Sequence, residues 1–330
     1  MIRHGNLFGR TFTPDALYRA FQVAAKGKRN RRACFAFERH LASNLDRLWT
    51  ALHTRTYQPQ PYIRFWVYEP KPRLIYAPAF GDLVVQHALY AVVGPLFDVT
   101  LCDQSFACRV GKGTHKAADY AQAALHASAP DRYTLKLDIR RFFYRIDRGV
   151  LRGLLERKLK DRRMVDLLMI FAEYGEPVGI PIGNLLSQLY ALIYLDPLDR
   201  FIKRELKVKR YCRYVDDFIL FNLTRPEAEA ALARIKAFLA EHLRLELSRY
   251  TLARTTRGVN FVGYRTWASK RFTRKHSLFK FGRALRRGDG QAAVSILGHA
   301  RRTHSRRHLL RIAQQRNADL IPARFYWSAS

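Results

Sequence analysis

The sequence predicts an α+β fold: an antiparallel sheet with helices on one face, followed by a small, strongly basic helical domain. Two observations lead there. Segments with strand-like alternation are separated by helical ones, and several lie close enough to pair as hairpins. From Arg265 to Ser330 the alternation gives way to spaced apolar positions among 16 Lys and Arg and only two acids, Asp289 and Asp319.

Composition limits the function classes. With 330 residues, 48% of them hydrophobic, the chain can bury a substantial core and is globular rather than disordered. It carries 59 Lys and Arg against 27 Asp and Glu, a formal net charge of +32. Such an excess attracts polyanions, nucleic acid before anionic membrane, because the charge runs along the whole chain rather than along one amphipathic helix. Met1–Ala25 lacks the continuous apolar core of a secretory signal. The long uncharged run Val178–Leu195 contains Pro181, Asn184, Ser187 and Gln188, which favours a loop leading into a buried helix over a membrane span. Cys34, Cys102, Cys108 and Cys212 form no CxxC pair, so they are expected as small buried residues in a reducing, cytoplasmic setting.

In chain order, KGKRNRR at 26–32 reads as a solvated, phosphate-seeking segment. FERHLASNLDRLWTALHT (37–54) predicts one amphipathic helix, with Leu41, Leu45, Leu48 and Leu52 at helical spacing. VYEPKPRLIYAP is extended and punctuated by prolines, and the apolar helix DLVVQHALYAVVGPLF is expected to be interrupted at Gly94-Pro95. YTLKLDIRRFFYRI opens as a half-buried strand, and a helix is expected over Val150–Lys160. The loop GEPVGIPIG leads into a long helix through NLLSQLYALIYLDPLDRFIKREL, kinked or restarted at Pro197. RYVDDFILF reads as two short strands around a tight turn. PEAEAALARIKAFLAEHL is helical, with Pro226 in its first turn, and LRLELSRYTLA and GVNFVGYRTW are strand-like. In the tail, Leu285, Ile296, Leu297, Leu309, Leu310 and Ile312 supply the core of packed helices, beside Trp267, Phe272, Phe279, Phe281 and Trp327.

The chemistry concentrates at Asp216-Asp217, two adjacent carboxylates in an apolar, aromatic run. On a strand they would point to opposite faces; at a hairpin tip both can face one site, where a divalent cation offsets their charge. Taken alone, the pair fits an ordinary Asp-Asp turn equally well. Asp138, at the end of YTLKLD, supplies a third carboxylate if its strand lies beside the hairpin. Together, in so basic a chain, the three point to a metal-dependent phosphoryl or nucleotidyl transfer site.

Tyr214-Val215-Asp216-Asp217, preceded by LKLDIRRFF at 135–143, resembles the catalytic core of reverse transcriptases. Five further stretches resemble that family's motifs, in its order: KPRLI (71–75), QSFACRVGKGTHKA (104–117), GIPIGNLLSQ (179–188), LRLELSRY (243–250) and NFVGY (260–264). The resemblance implies a right-hand polymerase. Residues 1–60 would be a basic extension and helix, 61–132 the fingers, 133–265 the palm with fingers elements interleaved, and 266–330 the thumb. It also implies that Asp138, Asp216 and Asp217, with Ile139, hold two Mg²⁺ ions, for which Mn²⁺ can substitute. Lys71 and Arg73 would clamp the incoming triphosphate. Ile139, Arg140, Arg141, Phe142 and Phe143 would line the nucleotide pocket with Ile182, Gly183 and Gln188, Phe143 standing at the steric-gate position. Lys112, Tyr214, Arg249, Gly263, Arg283, Arg286, Arg287, Arg301 and Arg302 would contact nucleic acid.

Ile182-Gly183-Asn184-Leu185-Leu186-Ser187-Gln188 departs from the Gln-Gly-x-x-x-Ser-Pro of many reverse transcriptases, including those of group II introns. The form with Ile and Gln resembles the enzymes of diversity-generating retroelements. That implies error-prone, adenine-mutagenised cDNA made from a retroelement template RNA, with dNTPs, a cDNA or primer strand, and a small basic accessory protein of helical-bundle type as partners. It also implies no membrane and a bacterial or phage-encoded, cytoplasmic enzyme. Ser248-Arg249-Tyr250 stands where many relatives carry a lysine, leaving the role of Arg249 open. Two alternatives remain: a reverse transcriptase of phage-defence or CRISPR-associated type, and a catalytically silent RNA-binding protein with the polymerase fold.

Overall fold

The computed structural model describes residues 2–68 and 72–327. Contacts divide the chain into two compact units, each built from separated segments. The first comprises Met1–Asp103, Ile139–Phe201 and Lys236–Ser248; the second comprises Gln104–Asp138, Ile202–Ile235 and Arg249–Ser330.

The first unit is mostly helical. Thr13 caps the helix Pro14–Ala25, its Oγ1 accepting from the Ala16 N–H at 3.1 Å, and Pro14 fills the first position, where no N–H is needed. The single helix expected over 37–54 is instead two, Arg32–Arg39 and Leu41–His53, broken at His40. The Phe37 carbonyl, which an unbroken helix would offer to the Leu41 N–H, accepts from the Asn44 side chain at 2.8 Å and the His40 N–H at 3.3 Å. Residues 26–32 are exposed, as their charge requires.

Within the segment expected to be extended, Arg73–Ala77 forms β2, antiparallel to β1 (Ile63–Val67). Helix Phe80–Asp98 runs through Gly94-Pro95 where an interruption was expected. Pro95 forfeits only its own donor, and the last turn closes beyond it, with Val99 N–H on the Pro95 carbonyl at 3.4 Å and Thr100 Oγ1 on that of Phe97 at 2.8 Å. This helix is long and apolar enough to cross a membrane. Val84, Val85, Leu89, Val93 and Phe97 are nevertheless buried in its own unit, where it packs on Pro14–Ala25 and Leu185–Arg200, so it is a core helix. Arg148–Glu156 begins at the Asp147 cap, and Pro197 lies within Leu185–Arg200, which widens into a π-helical turn at Phe201–Glu205.

A four-stranded sheet has strands β3 (Tyr133–Ile139), β4 (Arg210–Tyr214), β5 (Asp217–Leu223) and β6 (Leu247–Arg254), in the order β4-β5-β3-β6, and all but Ile139, Leu247 and Ser248 of these strands belong to the second unit. β5 runs antiparallel to both neighbours. Helix Thr114–His126 packs Ala117, Ala121, Ala124 and Leu125 against Cys212, Ile219 and Phe221 of one sheet face. Strands β7 (Val259–Phe261), β8 (Tyr264–Thr266) and β9 (Arg271–Thr273) form a second antiparallel sheet. β9 is not announced by the sequence, where Phe272 stands alone among Lys270, Arg271 and Arg274. The tail packs helices Lys275–Arg286, Gly290–Ala300 and Ser305–Arg316 around Phe281, Leu285, Leu297 and Leu309. Of the cysteines, Cys34 and Cys212 are buried as expected, whereas Cys102 is half-buried and Cys108 exposed. Cys108 sits with positive φ, +53°, in the irregular loop before helix Thr114–His126.

Candidate active site

The carboxylates lie at one end of the four-stranded sheet. β4 and β5 are joined by the two residues Val215-Asp216, flanked by the pair Tyr214 and Asp217. Of the two only Val215 has positive φ, at +56°, the sign pattern of a II′ turn, whose first position ordinarily falls to glycine. Holding a β-branched residue there costs on the order of 1–3 kcal/mol. The fully buried Arg213 braces the turn, its guanidinium donating to the Val215 carbonyl at 3.0 Å.

Across the sheet, Asp138 of β3 is the direct register partner of Asp217, so the two carboxylates share a face. Lys136, two residues earlier on β3, falls on the same face and its Nζ lies 2.6 Å from Asp217 Oδ1. Burial raises the Asp217 carboxyl above the usual carboxylate range; Lys136 opposes that shift, and Asp138 adds to it. Asp216 occupies the turn itself, half-buried. Two carboxylates opposed across the sheet, one of them beside an ammonium, are donor chemistry that fits a divalent cation. Among the described residues, no three His, Cys, Asp or Glu side chains are gathered closely enough to form a metal cage by themselves.

The residues expected around a nucleotide cluster in the first unit. Ile139 is buried, and Arg141, at φ +47°, starts the short helix Phe142–Arg145. Phe142 is a core ring, 2% exposed and edge-on to Tyr194, whereas Phe143 is half-buried. The Phe143 carbonyl accepts from the Ile180 N–H at 2.9 Å, and the Ile182 carbonyl accepts from the Tyr76 N–H at 2.7 Å. The GIPIG loop is thereby pinned to the Phe143 turn on one side and to β2 on the other. Gly183, at φ +107°, permits the second contact, because a Cβ there would stand 2.6 Å from Ile75 Cγ2. Ser187 holds the loop from within, its Oγ donating to the Pro181 carbonyl at 2.6 Å, and Gln188 is exposed on the helix's first turn. Arg73 is exposed on β2. Arg140 is turned toward Glu246, its N–H on the Glu246 carbonyl at 2.8 Å and its guanidinium 3.5 Å from the carboxylate. Lys71 lies outside the described residues.

The expected nucleic-acid contacts are scattered. Arg249, Arg283, Arg286, Arg287, Arg301 and Arg302 are exposed, with Arg302 ion-paired to Asp119 at 2.7 Å. Lys112 stands over the Phe106 ring at 5.4 Å, and Tyr214 packs beside the sheet core. Gly263 abuts His299, where a Cβ would come within 2.7 Å of Nε2. Sequence reasoning missed Lys136 and Arg213. The first was legible from the two-residue strand period in LKLD; the second was not, because no pattern announces a buried arginine bracing a turn.

Residues 69–266 match the family model described as reverse transcriptase (RNA-dependent DNA polymerase). The group II intron-encoded protein LtrA of Lactococcus lactis subsp. cremoris is 29% identical over 177 residues, covering 50% of this chain and 29% of LtrA. Protein YkfC of Escherichia coli K12 is 24% identical over 274 residues, covering 68% of this chain and 71% of YkfC. Among solved structures, telomerase from Candida albicans in complex with a TWJ fragment of telomeric RNA superposes with TM-score 0.50 at 12% identity, over 80% of this chain and 55% of that one. Apo telomerase from Candida tropicalis gives 0.50 at 11%, over 80% and 59%. At such identities the structural likeness is one of fold. The chain spans less than a third of LtrA and little more than half of the telomerase chains.

Proposed function

This chain belongs to the reverse transcriptase (RNA-dependent DNA polymerase) family, and from that premise we propose that it copies an RNA template into DNA by a two-metal nucleotidyl transfer. The observation that carries the reading is the register pairing of Asp138 with Asp217 beside a strained two-residue turn. Asp138, Asp216 and Asp217, with the Ile139 carbonyl, would hold two Mg²⁺ ions, or Mn²⁺ in their place; when bound, such ions activate a primer 3′-hydroxyl and stabilise the leaving pyrophosphate. Lys136 favours the ionised form of Asp217 against the effect of burial and orients its carboxylate. Arg73, with Lys71, meets the triphosphate of the dNTP through charge-assisted hydrogen bonds. Phe143, half-buried beside the pinned loop, presents a ring edge to the sugar, while Ile182 and Gly183 set the height of the loop. The exposed arginines of the 266–330 segment hold the template and product backbone in a thumb-like role.

The test is primer extension by the full chain on an RNA template. Asp138→Asn and Asp217→Asn should each lose at least about a hundredfold in rate, as expected when a ligand worth several kcal/mol of transition-state stabilisation is removed, while RNA binding persists. Extension by either variant at close to the wild-type rate would overturn the assignment and leave an RNA-binding protein with the polymerase fold.

Within this family, Ile182 and Gln188 favour a diversity-generating retroelement enzyme, cytoplasmic, working with a retroelement RNA and a small basic accessory protein. Isoleucine at 182 offers shape without a donor or acceptor, so one hydrogen bond is unavailable for holding the nucleotide. That is worth on the order of 1 kcal/mol, several-fold in discrimination, enough to loosen selection generally but not to single out adenine. Adenine bias needs further pocket residues or the partner complex. The expected outcome is misincorporation opposite template adenine above that opposite the other bases, with Ile182→Gln lowering errors overall. Equal error frequencies at all four bases, measured in the presence of the accessory protein, would point to a reverse transcriptase of another class.

A further inference from the structure

The end of the β4–β5 hairpin remote from the carboxylates carries a separate cavity of about 350 Å³. It is bounded by the β4 approach, the end of β5 and the start of helix Arg225–Leu243, all within the second unit. The register sets its distance from the aspartates. Arg210 pairs with Phe221 at the cavity and Tyr214 pairs with Asp217 at the turn. Four residues of strand separate them, about 13 Å at roughly 3.3 Å per residue. The two sites are distinct.

The lining has two parts. Val208, Phe221 and Leu223 give an apolar floor whose residues are all less than a tenth exposed. Lys207, Lys209, Arg210 and Arg234 stand around it. Glu227, an acid in the lining, is committed to the helix start, its carboxylate accepting from the Thr224 N–H at 2.7 Å. The approach to β4 is held in shape from behind. Lys203 Nζ donates to the Val208 and Lys209 carbonyls at 3.1 and 2.9 Å, and Val208 N–H donates to the Ile202 carbonyl at 3.1 Å. Two carbonyl oxygens that would repel an anion are therefore occupied by an ammonium. With the backbone fixed, Lys207 and Lys209 remain exposed beside the apolar floor.

A cationic rim around an apolar floor selects a ligand with both characters. A bare phosphate would leave the floor wet, and an apolar ligand would leave the rim unmatched. The volume lies at the lower end of the range for small-molecule sites. We propose that this cavity binds a phosphorylated nucleoside, its ring on Val208 and Leu223 and its phosphate on Lys207 and Lys209. The source is either an unpaired nucleotide of bound RNA or a free nucleotide. The proposal stands independently of catalysis at the aspartates, and primer extension plays no part in its test.

The experiment uses the full chain and two photoaffinity probes, 8-azido-ATP and an RNA oligonucleotide carrying 4-thiouridine, with labelled peptides identified by mass spectrometry. Label is expected in peptides spanning 206–210 or 221–234. Lys207→Glu combined with Lys209→Glu should lower that label at least fivefold while the melting temperature and the label elsewhere stay unchanged. Lys207→Gln with Lys209→Gln is the milder pair should charge reversal disturb folding, and it should lower label in the same peptides. Label from the RNA probe alone identifies an RNA contact, and label from 8-azido-ATP identifies a free-nucleotide site; either supports the proposal. Absence of label in these peptides with both probes, or label undiminished in both variants, overturns it.

Discussion

Lys136 supplies a counter-charge to the carboxylates of the proposed metal site. Its ammonium lies 2.6 Å from Asp217, with both side chains only about a quarter exposed. Removing it takes the ion-pair partner from a partly buried carboxylate, a loss on the order of 1–3 kcal/mol. The sign with pH follows from linkage. The Asp217 carboxyl is already raised above its unfolded value, so the folded state holds the proton more tightly, and stability is lost as pH rises through the folded pKa. Lys136→Met raises that pKa further. Its melting temperature should therefore lie a few degrees below wild type at neutral pH, with the gap closing as pH falls toward 4. Asp217→Asn should melt at or above the wild-type temperature at neutral pH. A Lys136→Met deficit that stays constant from pH 4 to 8 would show that the pair contributes packing alone. At this scale the sequence was partly legible. Adjacent aspartates in an aromatic run, and a third at a strand end, mark themselves. Of Phe142 and Phe143, only the structure tells which ring belongs to the core, because both follow a left-handed Arg141 that redirects the chain.

At the scale of elements, strong periodic segments appear where the sequence places them, and the misses share one cause. The break at His40 and the helix running through Pro95 are both decided by where single carbonyls find donors, which a hydrophobic pattern does not encode. The same holds for the join between helix Thr114–His126, β8 and helix Gly290–Ala300. The Tyr264 hydroxyl donates to the His299 carbonyl at 2.7 Å and lies 3.2 Å from His115 Nδ1, while the Tyr264 and His299 rings stack at 4.1 Å. Burial, first among the causes, lowers the pKa of both histidines below the usual imidazole value. Arg302, Arg271 and Arg301 lower that of His115 further, against Asp119, while His115 and Arg274 lower that of His299. For a base with a depressed folded pKa, the stabilisation is present above the unfolded value and is lost as pH falls through that value toward the folded one. The melting temperature should accordingly drop more steeply below about pH 6.5 in the wild type than in the double variant His115→Asn, His299→Asn. Parallel pH profiles for the two proteins would remove the histidines from the account.

At the scale of the whole molecule, a net charge of +32 does not mean that every cation is available to a polyanion. Arg271 is 3% exposed, bonded to Asp119, Gln122 and the Ala118 carbonyl, and therefore serves the fold. Arg283 and Arg286 are exposed on helix Lys275–Arg286, whose Phe281, Ala284 and Leu285 face the core. The composition points to a polyanionic partner but cannot divide the arginines between these duties, since burial depends on which helix face packs. The division is measurable. Deleting one arginine–phosphate pairing should reduce the slope of log affinity against log salt by about 0.7 for single-stranded RNA. Arg283→Gln with Arg286→Gln should thus flatten the slope by about 1.4, weaken binding similarly for unrelated RNA sequences, and leave the melting temperature unchanged. Arg271→Gln should do the reverse, lowering the melting temperature because the Ala118 carbonyl and the Gln122 side chain lose their Arg271 donor and Asp119 keeps only Arg302, while the salt slope stays near wild type. Fluorescence anisotropy of a labelled RNA across a potassium chloride series reads both. An unchanged slope in the Arg283, Arg286 variant would mean that this helix face does not meet the RNA backbone.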